Sequence, residues 1–383
     1  MVEMSDKSHR NGSGGVEMPY KSHSPASEDA AGHASPFHPG EEAIQERLGR
    51  RAKLALLGSR VIRDHMPEQH RAFFAELPFL VAGSVDGEGR PWASLLSGRP
   101  GFLSSPDARH LTLDARPAAG DPLAEALRPG RTLGLLGLDF ATRRRNRLNV
   151  RIEDTAGGRL NLAVDQSFGN CPKYIQARDA VFVRDPAMPA PAAAVERFDR
   201  LDEKAHALIA AADTLFVASA AADARSGDAD KSRDVGGNGG VDVSHRGGRP
   251  GFVKLGKRTA GGQAGNGISD NETPDTEPAG DETAEDLLTI PDYSGNFFFN
   301  TLGNFLINPK AGLTFVDFES GDLLMLSGRV VILWDGPEVA ALEGAERAWR
   351  FTLDHGLWLR SALPLRWRFR EASPHNPPGG SQA

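Results

Sequence analysis

"WASLLSGRPGF" (92–102) and "DVSHRGGRPGF" (242–252) align without a gap. Ser94 meets Ser244, and the pentapeptide GRPGF recurs in both. Working outward, "LTLDA" at 111 meets "LTIPD" at 288, and "GLLGLDF" (134–140) meets "GLTFVDF" (312–318). The same register carries Arg151 onto Arg329. Three matches in one order, each among short strands, read as an internal duplication rather than shared hairpin composition. The copies diverge at polar positions. Leu95, Leu96 and Ser97 stand opposite His245, Arg246 and Gly247. Copy two adds "PDYSGNFFFNTLGNFLINP" (291–309), with Asn296, Asn300 and Asn304 spaced by four, where copy one has "DARPAAGDPLAEALRP". A single site at the junction of the copies is the expectation.

Each copy reads as a meander. In copy one "FLVAGSV" is a buried strand, "DGEGRP" a hairpin turn, and "WASLLSG" and "HLTLDA" further strands. "DPLAEAL" is a short helix with Asp121 as its N-cap. "TLGLLGLDF", "NRLNVRIE" and "RLNLAVDQSF" follow. Short strands with one small helix suggest a β-barrel rather than a βαβ layer, in a mainly β chain with helices (α+β). The expected organisation is a disordered tail (1–36), a helical lead-in (37–78), copy one (79–191) and a helical spacer (192–212). Copy two (213–334) carries polar insertions at 221–240 and 256–286. A helix and strand (335–370) and a disordered tail (371–383) end the chain.

The 383 residues carry a net charge of −7, which does not attract nucleic acid or an anionic membrane. One cysteine excludes an internal disulfide framework and a CxxC metal site, so no metal is expected, and it suits a cytoplasmic setting. No apolar run is long enough to span a membrane. From Asp270 to Asp286 there are eight acidic residues and no basic one, which reads as a solvated insertion.

The order strand, turn, "DVSHRGGRPGF", strand, "IPDYSGN…NTLGNFLINPKAGL", strand, "GDLLMLSGRV" resembles the FMN-binding split barrels of the pyridoxamine 5'-phosphate oxidase-like superfamily. "DQSFGNCPKYIQ" is similar to a segment of its double-barrel members, some of which continue into a flavin and iron–sulfur reductase module; no such module is expected here. The resemblance implies two tandem split barrels packed as an intrachain pseudo-dimer, with FMN in the cleft between them. It implies hydride or electron transfer between a small organic substrate, or reduced nicotinamide, and an acceptor. A homodimer or a separate reductase is the partner expectation. An F420-dependent enzyme of the same fold, or a non-enzymatic flavin- or haem-binding protein, are the alternatives. Many relatives place an Arg two or three residues after the "GN" of copy two; here Phe298 and Phe299 stand there.

An FMN site needs cations or N–H donors for phosphate, donors and acceptors for the ring edge, and apolar cover for its faces. Arg246 is the first choice for phosphate, because a guanidinium matches its oxygens bidentately; the other reading is a solvated hairpin arginine. Ser244 and Thr301 offer hydroxyls, and Thr301 or Asn300 suits the start of a helix over 301–308. Asn296 and Asn300 suit a ring edge, with Asn304 the more structural of the ladder. His245 is a proton donor, a phosphate cap or a core histidine. Arg151 and Arg329 hold equivalent strand positions, and Arg329 is the one carried as a candidate. "RRRNR" (143–147) reads as a solvated charge cluster, with a phosphate patch as the minor reading. Trp334, Trp349 and Trp358 are packing residues; Trp367 is either packing or a flavin cover.

"VDQSFGNCPKYIQ" (164–176) is read as a loop leaving copy one, whose Gln166, Ser167, Phe168 and Asn170 face the cleft. Only Lys173 lies near Cys171 in sequence to activate its thiol, so the loop rather than the thiol is the expected contributor. No catalytic acid, base or nucleophile stands out.

Overall fold

The computed structural model describes residues 35–188, 195–221, 240–259 and 284–378. The expected N-terminal tail, apart from its last two residues, and most of both polar insertions lie outside them.

Seven strands form the first sheet: β1 (Phe79–Val85), β2 (Pro91–Ser97), β3 (Leu103–Asp107), β4 (His110–Leu113), β5 (Thr132–Asp139), β6 (Arg144–Asp154) and β7 (Leu160–Gly169). Two short strands follow, β8 (Ala177–Phe182) and β9 (Val195–Phe198). The second sheet contains β10 (Thr214–Ala220), β11 (Val241–Gly247), β12 (Lys254–Thr259), β13 (Ala284–Asp292), β14 (Lys310–Val316), β15 (Leu323–Leu333) and β16 (Arg347–Leu359). A last strand, β17 (Leu365–Glu371), pairs with β8 as a separate ribbon, and β9 adds to β16.

The two sheets share one topology. The first runs β2-β1-β5-β6-β7-β4-β3 and the second β11-β10-β14-β15-β16-β13-β12, every neighbouring pair antiparallel. Register repeats as well. Thr132 faces Arg151 across β5 and β6, and Lys310 faces Arg329 across β14 and β15. These are the partners that the aligned repeats require. A helix precedes each first strand (Glu68–Glu76 and Glu203–Ala211), and another sits between the fourth and fifth strands (Leu123–Ala126 and Asn300–Ile307).

Both faces of each sheet's first strands are buried, which explains why "FLVAGSV" reads as continuously apolar. Leu80 and Ala82 point into the core of copy one. Phe79 and Val81 join a second core with Phe216, Ala218, Val243 and Met325 of copy two. Each of these side chains larger than alanine contributes about 1.5–3 kcal/mol on burial. Two equivalent glycines permit that approach. A Cβ on Gly134 would lie 2.8 Å from the Asp242 Cα, and one on Gly312 would lie 2.7 Å from the Trp92 Cα. Trp92 and Asp242 are themselves equivalent in the repeat, so the contact is reciprocal.

Several local expectations need correction. The lead-in is broken into helices Pro39–Arg47 and Arg51–Val61, with Gly49 at positive φ between them. The spacer holds β9, and its helix starts only at Glu203, where Asp202 accepts from the Ala205 N–H at 2.7 Å. The second insertion starts and ends in paired strands, because β12 reaches Thr259 and β13 begins at Ala284. Copy two's sheet continues past residue 334 into β16. "VDQSFG" is part of β7, so the turn begins only at Asn170. Trp367 packs edge-on to Phe79 (5.4 Å), Phe140 (6.4 Å) and Phe318 (5.5 Å) in the core between sheets.

Candidate functional site

Strand β6 decides the site. Its side chains alternate across the sheet, so Arg145 and Arg147 share one face, opposite Asn146. That face meets β11 of copy two. Arg147, 9% exposed, donates from Nη1 to Asp242 Oδ1 (2.9 Å) and to Asn300 Oδ1 (3.0 Å), and from Nη2 to the Ser244 hydroxyl. Arg145 donates from Nε to the Cys171 carbonyl (2.7 Å), and its Nη1 lies 3.3 Å from His245 Nδ1 and from the His245 carbonyl. These arginines line a polar cavity of about 80 Å³ with Asn170, Cys171, Ser244, His245, Arg246, Asp292, Tyr293, Asn296, Phe297, Phe299, Asn300, Thr301 and Arg347.

The carboxylates are unevenly shared. Asp292 accepts from Arg246 (2.9 Å) and Arg347 (2.7 Å), and Glu346 takes the other arm of Arg347 at 2.7 Å. Asp242 holds Arg147. Among the described residues Arg145 has no carboxylate, only carbonyl and imidazole partners. Burial, with Arg147 beside it, pulls Arg145 down to about 9, so it remains cationic at neutral pH. Burial and then Arg145, Arg178 and Arg246 hold His245 well below the usual imidazole range, so it is neutral. A neutral His245 that accepts from Arg145 at Nδ1 carries its proton on Nε2. That nitrogen and Arg246 Nε are buried with no hydrogen-bond partner among the described residues. A cavity with a surplus cation and unused donors suits an anion.

The wall formed by "GNFFFN" is strained. Phe297 and Phe299 have φ of 63° and 64°, a conformation that costs a non-glycine residue roughly 1–3 kcal/mol. Both residues line the cavity and their rings cover cations, with the Arg50 guanidinium 4.3 Å from Phe297 and that of Arg347 5.0 Å from Phe299. Phe298 turns the other way, between Phe37 (5.2 Å) and Phe168 (6.2 Å). That buried cluster offsets the strain.

The sequence candidates divide. Ser244, His245, Arg246, Asn296, Asn300, Thr301 and Asn170 all line the cavity. Ser244 and Thr301 bind each other at 2.9 Å, and Arg246 is already held by Asp292. Asn300 opens its helix but does not cap it; its amide joins Arg147 to the buried Glu41. The Asn170 and Asn296 amides meet at 3.2 Å. Gln166, Ser167 and Phe168 are not in the lining. Gln166 reaches the Pro36 carbonyl (3.4 Å), Ser167 is buried against His70 (2.9 Å), and Phe168 is core. They belong to a strand, so their faces are set by the sheet. Asn304 bonds Ser219 at 3.0 Å behind the cavity. Arg329 is half-exposed and paired with Glu285 (2.9 Å) and Asp354 (3.0 Å) away from it. Arg151 is likewise paired, with Asp165.

"RRRNR" is the main correction. It is not a solvated cluster, since Arg145 and Arg147 line the cavity. The period-2 spacing of a strand was the signal for this. The turn after β7 is stapled into copy two: Tyr174 Oη donates to the Ser294 carbonyl (3.1 Å) and Gln176 Nε2 to that of Gly248 (2.8 Å).

No family model and no curated protein matches the chain. Among solved structures, a candidate pyridoxamine 5'-phosphate oxidase from Lactobacillus delbrueckii is similar at 18% identity and TM-score 0.23, over 28% of this chain and 95% of that one. The Bacillus subtilis inhibitor of motility and the K. pneumonia MrkH–c-di-GMP complex each match at 8% identity and TM-score 0.17 over 72% of this chain, covering 87% and 78% of theirs. At these TM-scores none of the three bears on what this chain does. No helix among the described residues is long and apolar enough to cross a membrane, and no group of three metal-ligating side chains occurs among them.

Proposed function

We propose that this chain is a flavin-binding, oxidoreductase-like protein of the pyridoxamine 5'-phosphate oxidase-like superfamily. Its two copies are split barrels paired within one chain, and the cavity between them holds the phosphate end of FMN. The identical strand orders and the reciprocal contacts at Gly134 and Gly312 support the pairing. One observation carries the ligand assignment: Arg145, with no carboxylate of its own, lines the cavity and meets His245 only at Nδ1 and the carbonyl, leaving the His245 Nε2 unpartnered.

The residues fit the group's needs. Arg145, Arg147 and His245 would hold the phosphate, the amides of Asn170 and Asn296 would meet polar edges, and Phe297, Phe299 and Tyr293 would supply apolar faces. When bound, flavin supplies hydride or electron transfer between a small organic substrate or reduced nicotinamide and an acceptor. The chain's part is to orient the ligand and exclude water. No side chain here is poised as an acid or base toward a bound substrate.

The test compares FMN with riboflavin, which lacks the phosphate. FMN should bind roughly tenfold to a hundredfold tighter, the scale of one charge-assisted hydrogen bond. Arg145→Ala should remove that preference. A protein purified without flavin absorption that also ignores added FMN would end the proposal.

A further inference from the structure

Behind the cavity lies an acid that the sequence marked only as an early-helix residue. Glu41 is 3% exposed on helix Pro39–Arg47, which packs against helix Asn300–Ile307. Its Oε2 accepts from the His38 N–H at 2.8 Å, and its Oε1 accepts from Asn300 Nδ2. The same amide turns its Oδ1 to Arg147 Nη1 at 3.0 Å. An amide has one donor end and one acceptor end, so the bond to Glu41 decides which end faces the arginine. Glu41 is thereby one side chain removed from the anion cavity.

We propose that Glu41 is a positioning residue for the anion site, holding Asn300 so that Arg147 keeps its place, and that Glu41 takes up a proton when the anion binds. This rests on the anion cavity of the reading above, though not on flavin as its occupant. A new negative charge in the cavity disfavours a carboxylate nearby, and by reciprocity a proton on Glu41 favours the anion.

The surroundings support the coupling. Burial pushes the Glu41 carboxyl up to about 8, with Asp242 adding to it and the bonds from His38 and Asn300 and the charge of Arg147 opposing it. On its own helix, burial lowers His38 to about 4, so His38 is neutral in that range. From β11 comes Asp242, already paired with Arg147 of β6. The helix Asn300–Ile307 contributes Asn300 and Asn304, which do not titrate. Across the cavity, Tyr293 is pushed up to about 12, His245 is held neutral, and Arg145, lowered to about 9, adds an uptake of its own centred about a unit higher than that of Glu41.

Sulfate is the probe, because it stays fully ionised throughout. Calorimetry in two buffers of different ionisation enthalpy should show proton uptake on sulfate binding, greatest near pH 8. The dissociation constant should rise about tenfold from pH 7 to pH 9, as expected for charges several ångströms apart at intermediate dielectric. Glu41→Gln, which can still accept from Asn300, should bind sulfate at pH 7 as the parent does and lose the uptake near pH 8, leaving only the part that Arg145 contributes near pH 9. Arg329→Gln, on the exposed surface away from the cavity, should keep the whole uptake. A flat pH profile in the parent, uptake at pH 8 undiminished in Glu41→Gln, or uptake at pH 8 lost in Arg329→Gln would overturn the proposal. If Glu41→Gln does not fold, infrared difference spectra of the parent at pH 8 decide: a protonated-carboxyl band must appear with sulfate, and its absence is fatal. Proton-linked sulfate binding without FMN binding would remove only the flavin reading. FMN binding with proton-independent sulfate affinity would remove only this one.

Discussion

The molecule makes the same cleft twice and fills it in two ways. Between β6 and β11 stand Arg145, Arg147, His245 and Arg246. At the repeat-equivalent positions of β15 and β2 stand Leu323, Met325, Leu95 and Leu96, each at most 3% exposed. The first three of these belong to the core between sheets, and Leu96 to the core of copy one. Only the serines match, and even they differ in partner. Ser244 binds Thr301 at 2.9 Å, whereas Ser94 donates to the buried Asp121 at 2.5 Å. A homodimer of one copy would carry the same residues in both clefts. Fusing the copies frees one cleft to become packing while the other keeps charges that cost stability to bury.

That contrast can be broken. The largest effect should come from placing an arginine in the filled cleft. Met325→Arg is the equivalent of Arg147 without Asp242, and an unpaired buried charge should cost at least about 3–5 kcal/mol. Urea denaturation checks it, and near-parental stability would mean that the two clefts are interchangeable. Next comes a comparison within the cationic cleft. Arg147→Leu leaves Asp242 buried without its partner and should cost about 3 kcal/mol. Arg145→Leu removes a cation with no counter-ion and should cost less than about 1 kcal/mol, or stabilise, while abolishing sulfate binding and the preference for FMN over riboflavin. Equal losses for the two would contradict the uneven sharing of carboxylates.

A smaller effect belongs to copy one. Burial pushes Asp121 up to about 6 despite bonds from Ser94 and the Leu123 N–H. The folded state therefore binds more protons than the unfolded state between about pH 4 and pH 6, and stability falls as pH rises through that window. Asp121→Asn should flatten this part of the profile and raise stability at neutral pH by about 2 kcal/mol; thermal melts across pH test it. Cys171→Ser should change least, within about 0.5 kcal/mol, because the backbone carbonyl of Cys171, not its thiol, holds Arg145. A large loss of turnover with normal folding would return the thiol to consideration.

Much of the cationic cleft was legible before any coordinates. His245, Arg246, Asn296, Asn300 and Thr301 stood out because copy one lacks their chemistry at matching positions, and Ser244 because its hydroxyl adjoins them. The comparison failed where it had no contrast to exploit. Arg151 and Arg329 match each other, yet both are paired on exposed strand surface. Arg145 and Arg147 were hidden in a run of like charges, where a count of arginines conceals the alternation of a strand. Glu41 gave no local sign at all, since an acidic residue in a first helical turn is ordinary.

What the sequence determined by itself was the duplicated strand pattern and the side of the duplication on which polar groups collect. Both follow from local rules: the period of apolar residues, turn chemistry and register. Only the tertiary structure decided which arginine is left without a carboxylate. Arg147 finds Asp242 from 95 residues away, and Arg246 and Arg347 both take Asp292, from 46 and 55 residues away. Ion pairing of that kind depends on where two sheets meet in space, and no local pattern encodes it.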